Sequence, residues 1–207
     1  MLKKFFSKFQ YNAPVILTYT LVCAAALLLN MLTNGWANKY LFSAYRTSFL
    51  SPMQYPRLIT HIIGHGSYEH FLGNFMIILL VGPMLEEKYG SKPMLKMILF
   101  TGFVTGLIQV IFFPSIRLLG ASGIAFMLIL LSSFANFRKG RIPLTLILVA
   151  LIYLSGEIIA ALSPQKDNVS QMAHIIGGLC GTAFGWAVTK PKAEGGSGSP
   201  AAPQMTS

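Results

Sequence analysis

The stretch Gly120-Ala121-Ser122-Gly123 opens an apolar run that extends to Phe134. Packing alone does not require a serine between glycines at the start of such a run. The only histidine in the C-terminal half, His174, also opens an apolar, glycine-rich run. An earlier run carries three more polar side chains of catalytic type: His65, His70 and Asn74. Each residue taken alone is explained by helix packing, but together they can supply the nucleophile, base and oxyanion donors of a serine hydrolase acting inside a membrane.

The composition is that of a membrane protein, because 54% of the 207 residues are hydrophobic and only 11% are charged. A transmembrane helix needs roughly 20 mostly apolar residues. Six such stretches are present: 14–33, 58–82, 93–113, 119–136, 142–162 and 169–189. The sequence therefore predicts an all-α polytopic membrane protein with six transmembrane helices in one domain, 14–189. We expect a cytoplasmic segment at 1–13 and a disordered cytoplasmic tail, rich in Gly, Ser and Pro, at 190–207.

The net charge of +10 is spread between the apolar runs and does not form one basic patch. We therefore expect no nucleic-acid partner. Placing most of the basic residues on one side of the membrane satisfies the positive-inside rule and makes both termini cytoplasmic. The first apolar run is not followed by a small-residue cleavage site, so we expect it to be retained as a span. Cys23 and Cys180 lie inside apolar runs, where we expect neither a disulfide nor a metal site.

The segment between the first two spans, Asn34 to Arg57, mixes aromatic residues with a few cations and small polar residues. Such a sequence is typical of a loop that lies in the membrane interface. Together with the apolar spans, this loop makes the lipid bilayer an expected partner of the chain.

The sequence predicts that the second span ends at Gly82-Pro83. The charged run Glu86-Glu87-Lys88 that follows is interpreted as a solvated or salt-bridged helix end.

The second span, read as one helix, places its polar residues on two faces. At about 100° per residue, His61 and His65 share one face, while His70 and Asn74 share a nearly opposite one. Polar groups at membrane depth are costly and are functional-site candidates. We assign His70 and Asn74 to a catalytic site, and His61 and His65 to bonding of the interfacial loop.

Three motifs, in this order along the chain, resemble the rhomboid family of intramembrane serine proteases. They are His65-x4-His70-x3-Asn74, Gly120-Ala121-Ser122-Gly123, and Ala173-His174 followed by Gly177 and Gly178. Arg57 stands where the family commonly has a Trp-Arg pair, although the tryptophan position is Pro56 here. The tyrosine that is frequent four residues after the nucleophile is Phe126. Neither departure removes a reacting group.

The resemblance implies a bacterial six-span enzyme of the inner membrane that cuts a transmembrane segment of another protein near the outer face. Ser122 and His174 would form a catalytic dyad that works through an acyl-enzyme. His70, Asn74 and the Ser122 backbone N–H would stabilise the oxyanion, without a metal or cofactor. The remaining site residues are expected to orient or support these groups: Phe126, His65, His61, Arg57, Gly120, Gly123 and Gly178.

Two alternatives come from other classes of protein. A rhomboid-like protein without activity could bind client transmembrane helices. Histidines within spans could bind haem or a transition metal, but there is no His-Glu-x-x-His motif. Glu157, near the outer end of the fifth span, is the one acidic residue placed to act as a third catalytic member. We expect packing against Phe126 to orient His174 in its place.

Overall fold

The computed structural model describes residues 10–134 and 168–189, together with positions 144, 147, 148, 151, 152 and 155. Its helices are α1 (Pro14–Leu32), α2 (Trp36–Tyr40), α3 (Arg57–Thr60), α4 (Tyr68–Tyr89), α5 (Ser91–Phe112), α6 (Ser122–Ser132) and α7 (Asn168–Thr189). A 3₁₀ turn at Pro52–Gln54 lies between α2 and α3. The described residues form no β-strand, and one isolated antiparallel bridge joins Ala44 to Leu118. The predicted all-α fold is confirmed.

Within the described residues, three helices are long and apolar enough to cross a membrane, namely α1, α4 and α5. The helix α6 is apolar but has only 11 residues. At 1.5 Å per residue it is about 17 Å long, well below the hydrocarbon thickness of about 30 Å. Only one end of α6 can therefore reach a membrane surface. The predicted fourth span, 119–136, is longer than this helix because Gly120 and Ala121 are not helical.

The helix α6 lies at the centre of the described bundle and packs against α4, α5 and α7. Its contact with α7 is the most extensive between any two helices of the described chain. Glycines make this contact possible, because a Cβ on Gly177 would overlap the Gly123 carbonyl oxygen. A Cβ on Gly181 would overlap the carbonyl oxygen of Met127 in the same way. Small residues of α7 thus allow two helices to meet at backbone distance.

The prediction of the second span, 58–82, is wrong at both ends. The helix α4 begins at Tyr68, because Ser67 caps it by accepting the backbone N–H of His70. It continues through Pro83 to Tyr89. Proline is tolerated within membrane helices because neighbouring groups and small backbone adjustments can satisfy the carbonyl that it leaves without a donor. The predicted helical placement of His61 and His65 is therefore wrong, since both precede α4.

The segment between α1 and α4 packs against the start of α6. Ala44 and Leu118 exchange two backbone hydrogen bonds, of 2.8 and 3.0 Å. Arg46 donates from Nε and Nη2 to the carbonyls of Val110 and Ile111 at the end of α5. A glycine of α5 gives close packing against this segment, since a Cβ on Gly106 would overlap the Leu58 carbonyl oxygen.

The charged run after Pro83 is not uniformly solvated. Glu86 is only 3% exposed and binds the start of α1. Its carboxylate accepts the backbone N–H groups of Val15 and Ile16, each at 2.9 Å, and the Ser91 hydroxyl at 2.7 Å. The interpretation of Glu86 as a solvated or salt-bridged residue is wrong, because the free N–H groups of a helix N-terminus need acceptors when they are buried. Glu87 is exposed.

The remaining spans agree with the sequence to within about two residues, a normal uncertainty for helix ends. These are α1, α5 and α7, against predictions of 14–33, 93–113 and 169–189. The fifth predicted span, 142–162, and Glu157 lie outside the described residues, apart from the isolated positions given above. Most of the predicted N-terminal segment, 1–13, and the tail, 190–207, also lie outside them.

Candidate active site

Ser122 is the first residue of α6, and the backbone before it is shaped by Gly120. Gly120 has φ of +126°, a conformation that L side chains rarely adopt. A Cβ at this position would lie 2.8 Å from both Cε1 and Nε2 of His70. Glycine is therefore needed here for the turn and for the close approach of the imidazole. The Ser122 side chain itself is half-buried.

His70 and Asn74 lie one turn apart on α4 and face this turn. The Asn74 amide nitrogen is 3.8 Å from the position that a Gly120 Cβ would take. Asn74 is 8% exposed, and its Nδ2 has no hydrogen-bond partner among the described residues. A buried donor without a partner costs about 1–3 kcal/mol. Asn74 thus holds an unused donor beside the backbone that leads into Ser122.

His174 packs its ring on Phe126, with 4.4 Å between ring centroids and 38° between planes. Phe126 lies four residues after Ser122 and therefore on the same face of α6. Gly123, which follows Ser122, contacts Ala173, which precedes His174. A Cβ on Gly123 would lie 3.1 Å from the Ala173 carbonyl oxygen. The structure thus brings Ser122 and His174 to the same level of two closely packed helices.

His65 is fully buried and holds the turn before Ser122. Its Nδ1–H donates to the Ile63 carbonyl at 3.1 Å, so its Nε2 accepts the Ala121 backbone N–H at 3.4 Å. Its ring centroid is 5.2 Å from that of His70. Two separate polar clusters were expected, but His65 and His70 belong to one cluster, because His65 precedes α4 and folds back beside it. Burial and the neighbouring His70 lower the pKa of His65 to about 4.

His61 connects the same turn to α5. Its backbone carbonyl accepts the Gly120 N–H at 2.9 Å, and its Nε2–H donates to the Gly102 carbonyl at 3.0 Å. Burial lowers the pKa of His61 to about 4, so its ring is neutral near pH 7. The predicted bonding of the interfacial loop is not made by these rings, since the His65 ring bonds Ile63 and Ala121 and the His61 ring bonds α5.

Other expected supporting residues fall on the same framework. Arg57 is 3% exposed and belongs to α3, which leads directly into His61. Gly178 is buried on α7. The sequence did not single out Asn38, whose side-chain amide donates to the His65 carbonyl at 2.7 Å. Nor did it single out Tyr19, whose hydroxyl donates to the Ile62 carbonyl at 2.7 Å. Both are buried polar groups whose partners are distant in sequence.

The described site contains imidazoles, an amide and a hydroxyl. No described carboxylate is seen to bond to these groups. Of the described acidic residues, Glu86 binds α1 and Glu87 is exposed. Glu69 is also exposed. Among the described residues, no group of three or more His, Cys, Asp or Glu side chains could hold a metal ion. The arrangement suits a serine nucleophile, an imidazole base and amide donors.

Comparison with known proteins identifies the class and the family. The profile of the Rhomboid domain matches residues 52–191. The chain is 28% identical over 145 residues to Rhomboid-related protein 2 of Mus musculus, which covers 64% of this chain and 47% of that protein. It is 27% identical over 140 residues to Rhomboid-related protein 1 of Caenorhabditis elegans, which covers 64% of this chain and 39% of that protein. The chain thus spans less than half the length of these curated relatives.

The apolar helices and the matched domain define an integral membrane protein of the polytopic, helical class. The chain belongs to the rhomboid family, and the resemblance drawn from its three motifs is confirmed.

Proposed function

We propose that this chain is an intramembrane serine endopeptidase that cleaves transmembrane segments of other proteins with a Ser122–His174 dyad. The observation that carries the proposal is the contact of α6 with α7. Gly123 meets Ala173 at backbone distance, while His174 rests on Phe126, one turn after Ser122. This packing supports a serine and an imidazole held at a common level inside the bundle.

In the proposed reaction, His174 takes the proton of the Ser122 hydroxyl as the serine oxygen attacks the scissile carbonyl. The resulting tetrahedral intermediate expels the amine, which receives the proton from His174, and leaves an acyl-enzyme. Water, activated by the same imidazole, then attacks the ester and releases the acid product. The reaction consumes one water and returns both residues to their starting state.

The oxyanion would be stabilised by groups on two helices. The Ser122 N–H belongs to the first turn of α6, where backbone N–H groups have no partner within the helix. The Asn74 amide supplies a buried donor that is unpaired among the described residues. The His70 ring lies against Gly120, next to these donors. Donors fixed before the reaction stabilise developing charge at little cost in reorganisation.

A triad is not required in this proposal, because Phe126 can hold the His174 ring in place by stacking. Aromatic pairs of this kind contribute about 0.5–1.5 kcal/mol beyond simple burial. Glu157 lies outside the described residues and remains the one acidic candidate for a third member.

We further propose a six-span bacterial enzyme of the inner membrane, with both termini in the cytoplasm. This topology follows from the six apolar stretches and the distribution of basic residues. The substrate would be a membrane-embedded protein segment that reaches Ser122 from the end of the bundle where α6 begins. The short α6 supports cleavage below the membrane surface.

Labelling with a fluorophosphonate probe tests this proposal directly. The parent protein in detergent should react covalently, and Ser122→Ala should not. Ser132→Ala is the matched control, because Ser132 lies at the other end of α6, where its hydroxyl donates to the Ile129 carbonyl of its own helix. Cleavage of a model transmembrane substrate should follow the same order. A folded parent that neither labels nor cleaves, yet retains the substrate segment, would favour the non-catalytic helix-binding alternative.

A further inference from the structure

A cavity of about 540 Å³ lies in the segment between α1 and α4, and Ser122 does not line it. Aromatic, hydroxyl and cationic side chains line it: Trp36, Tyr40, Leu41, Tyr45, Thr47, Ser51, Met53 and Arg57. None of these residues has a part in the proposed peptide hydrolysis beyond the supporting position of Arg57. The cavity therefore needs its own account.

Arg57 is a buried cation in this cavity, with only 3% of its surface exposed. Its Nη2 donates to Thr47 Oγ1 at 2.8 Å, and its guanidinium carbon lies 4.1 Å from the Tyr45 ring centroid. The Nε atom is buried and has no hydrogen-bond partner among the described residues. No described carboxylate forms a salt bridge with it. An unpaired buried charge is costly, so a ligand that supplies negative charge and acceptor oxygens would stabilise it.

Hydrogen bonds through Thr47 and Gln54 hold the Arg57 side chain in place. The Thr47 hydroxyl, which accepts from Arg57, donates to the Gln54 side-chain oxygen, and that oxygen also accepts the Thr47 backbone N–H at 2.7 Å. Gln54 is 3% exposed. This chain of hydrogen bonds fixes the guanidinium before a ligand arrives, which lowers the entropic cost of binding.

Further positive charge surrounds the aromatic wall of the cavity. Arg117 lies 5.1 Å from the Tyr45 ring centroid, on which Arg57 also packs. Lys39 lies 5.0 Å from the Tyr40 ring centroid and is exposed. Of the described acidic residues, Glu86 and Glu87 belong to the opposite end of α4, and Glu69, at the near end, is exposed and does not line the cavity. The field around the cavity therefore favours an anion.

The position of the cavity indicates which kind of anion it meets. The neighbouring loop exposes Phe49 and Leu50, at 69% and 94% of their surface, and Trp36 is 52% exposed. Apolar and aromatic side chains exposed beside cations are typical of protein that rests in the headgroup region of a bilayer. An anionic phospholipid offers a phosphate for Arg57 and acyl chains for the exposed apolar loop, whereas a free phosphate offers only the first.

We propose that this cavity binds the phosphate headgroup of an anionic glycerophospholipid, in the leaflet at the end of the bundle where α6 begins. The Arg57 guanidinium contacts the phosphate, the Thr47 and Ser51 hydroxyls lie within the same pocket, and Lys39 supplies charge at the rim. The acyl chains extend over Phe49 and Leu50. This proposal is independent of peptide hydrolysis, and its test does not use activity.

Trp36 provides the readout, because the chain has two tryptophans and the other can be removed by Trp186→Phe. In this background, dihexanoyl-phosphatidylglycerol is titrated below its micellar concentration into purified protein in a neutral detergent, and Trp36 fluorescence is followed. Dihexanoyl-phosphatidylcholine and glycerol phosphate are titrated in parallel. We expect a saturable change with the anionic lipid, at an apparent Kd at least about tenfold lower than for either comparison ligand.

Variants locate the binding to Arg57. Arg57→Gln should weaken the anionic lipid at least about tenfold, since charge-assisted hydrogen bonds contribute roughly 1.5–3 kcal/mol. Lys92→Gln removes one exposed cation at the start of α5, the end of that helix away from the cavity, and should change nothing. Lys39→Gln, at an exposed position, should weaken binding about two- to fivefold even if Arg57→Gln proves unstable.

Three results would overturn the proposal. The first is equal response to the anionic and zwitterionic lipids, which would indicate surfactant binding. The second is equal response to glycerol phosphate, which would indicate a free phosphate site. The third is an unchanged titration in both Lys39→Gln and a folded Arg57→Gln.

Discussion

The buried polar groups at the two ends of α4 differ in whether they have hydrogen-bond partners. At its C-terminal end, the carboxylate of Glu86 is saturated by three donors from α1 and α5. At its N-terminal end, Asn74 Nδ2 and His61 Nδ1 are buried without a partner among the described residues. The first arrangement stabilises the bundle, and the second leaves hydrogen-bonding capacity for a ligand at a cost in stability. The difference indicates that the C-terminal end is structural, and it supports the proposal that the N-terminal end forms the active site.

The largest effect is expected at the helix contact on which the candidate site depends. Gly177→Leu places a side chain against the Gly123 backbone. Backbone atoms cannot move aside by changing rotamer, as a side chain could. Overpacking commonly costs about 1–3 kcal/mol, and we expect more here, with loss of both cleavage and thermal stability in detergent. Gly73→Leu is the matched control, because a Cβ there has nothing within 4 Å. Parent-like melting of Gly177→Leu would contradict the observed packing.

Asn74→Ala should separate activity from stability at the N-terminal end. Losing one oxyanion donor typically lowers turnover by roughly 10²–10³. The melting temperature should hardly change, because the amide nitrogen has no partner in the described structure. Turnover of a model transmembrane substrate and thermal unfolding are measured on the same preparation. A large drop in melting temperature with parent-like turnover would mean that Asn74 is structural.

Glu86→Gln should show the reverse pattern at the C-terminal end. The amide keeps the size of the side chain but has one acceptor oxygen, so a buried N–H at the start of α1 loses its acceptor. We expect a loss of about 1–3 kcal/mol in stability, with turnover unchanged well below the melting temperature. Glu87→Gln, at an exposed neighbouring position, should be neutral. If Glu86→Gln abolished cleavage without lowering stability, the division between the two ends would be wrong.

Phe126→Ala tests how His174 is oriented. Removing the ring that lies 4.4 Å from the imidazole should lower turnover about tenfold, on the scale of an aromatic contact. Glu157→Gln should cost less. A loss of roughly 10⁴ in Glu157→Gln, the size found when a triad loses its acid, would show that a third catalytic member operates. Both variants are assayed on one substrate at several concentrations, so that kcat and KM are resolved.

The smallest effect is expected on the pH dependence of folding stability, through His61 at the turn before Ser122. Burial lowers the pKa of His61 from its ordinary value of 6.5 to about 4. Below pH 6.5 the unfolded chain binds the proton more readily, so stability present above that pH is lost as the pH falls toward 4. Between pH 6.5 and 5.5 this amounts to about 1 kcal/mol. His61→Gln, which keeps a donor, should flatten the dependence of melting temperature on pH over this range.

Much of the fold could be predicted because a membrane helix is recognisable from its own run of apolar residues. Long apolar runs fixed α1, α5 and α7 to within about two residues. The start of α4 could not be found this way, because apolar residues lie both before and after Ser67, and only the Ser67 cap marks the true beginning. The candidate residues Ser122, His174, His70 and Asn74 were identified from order and spacing. Their sequence context does not reveal which donors are unpaired.

What the sequence by itself determined is the membrane class, the family and the candidate reacting groups, since these depend on composition and on motifs within single segments. Tertiary structure alone decided that His65 joins the His70 cluster, that Glu86 binds the start of α1, and that Arg57 is buried without a described carboxylate. The reason is physical. Hydrogen-bond partners and burial depend on residues that are far apart in the chain, and no local pattern specifies which of them will meet.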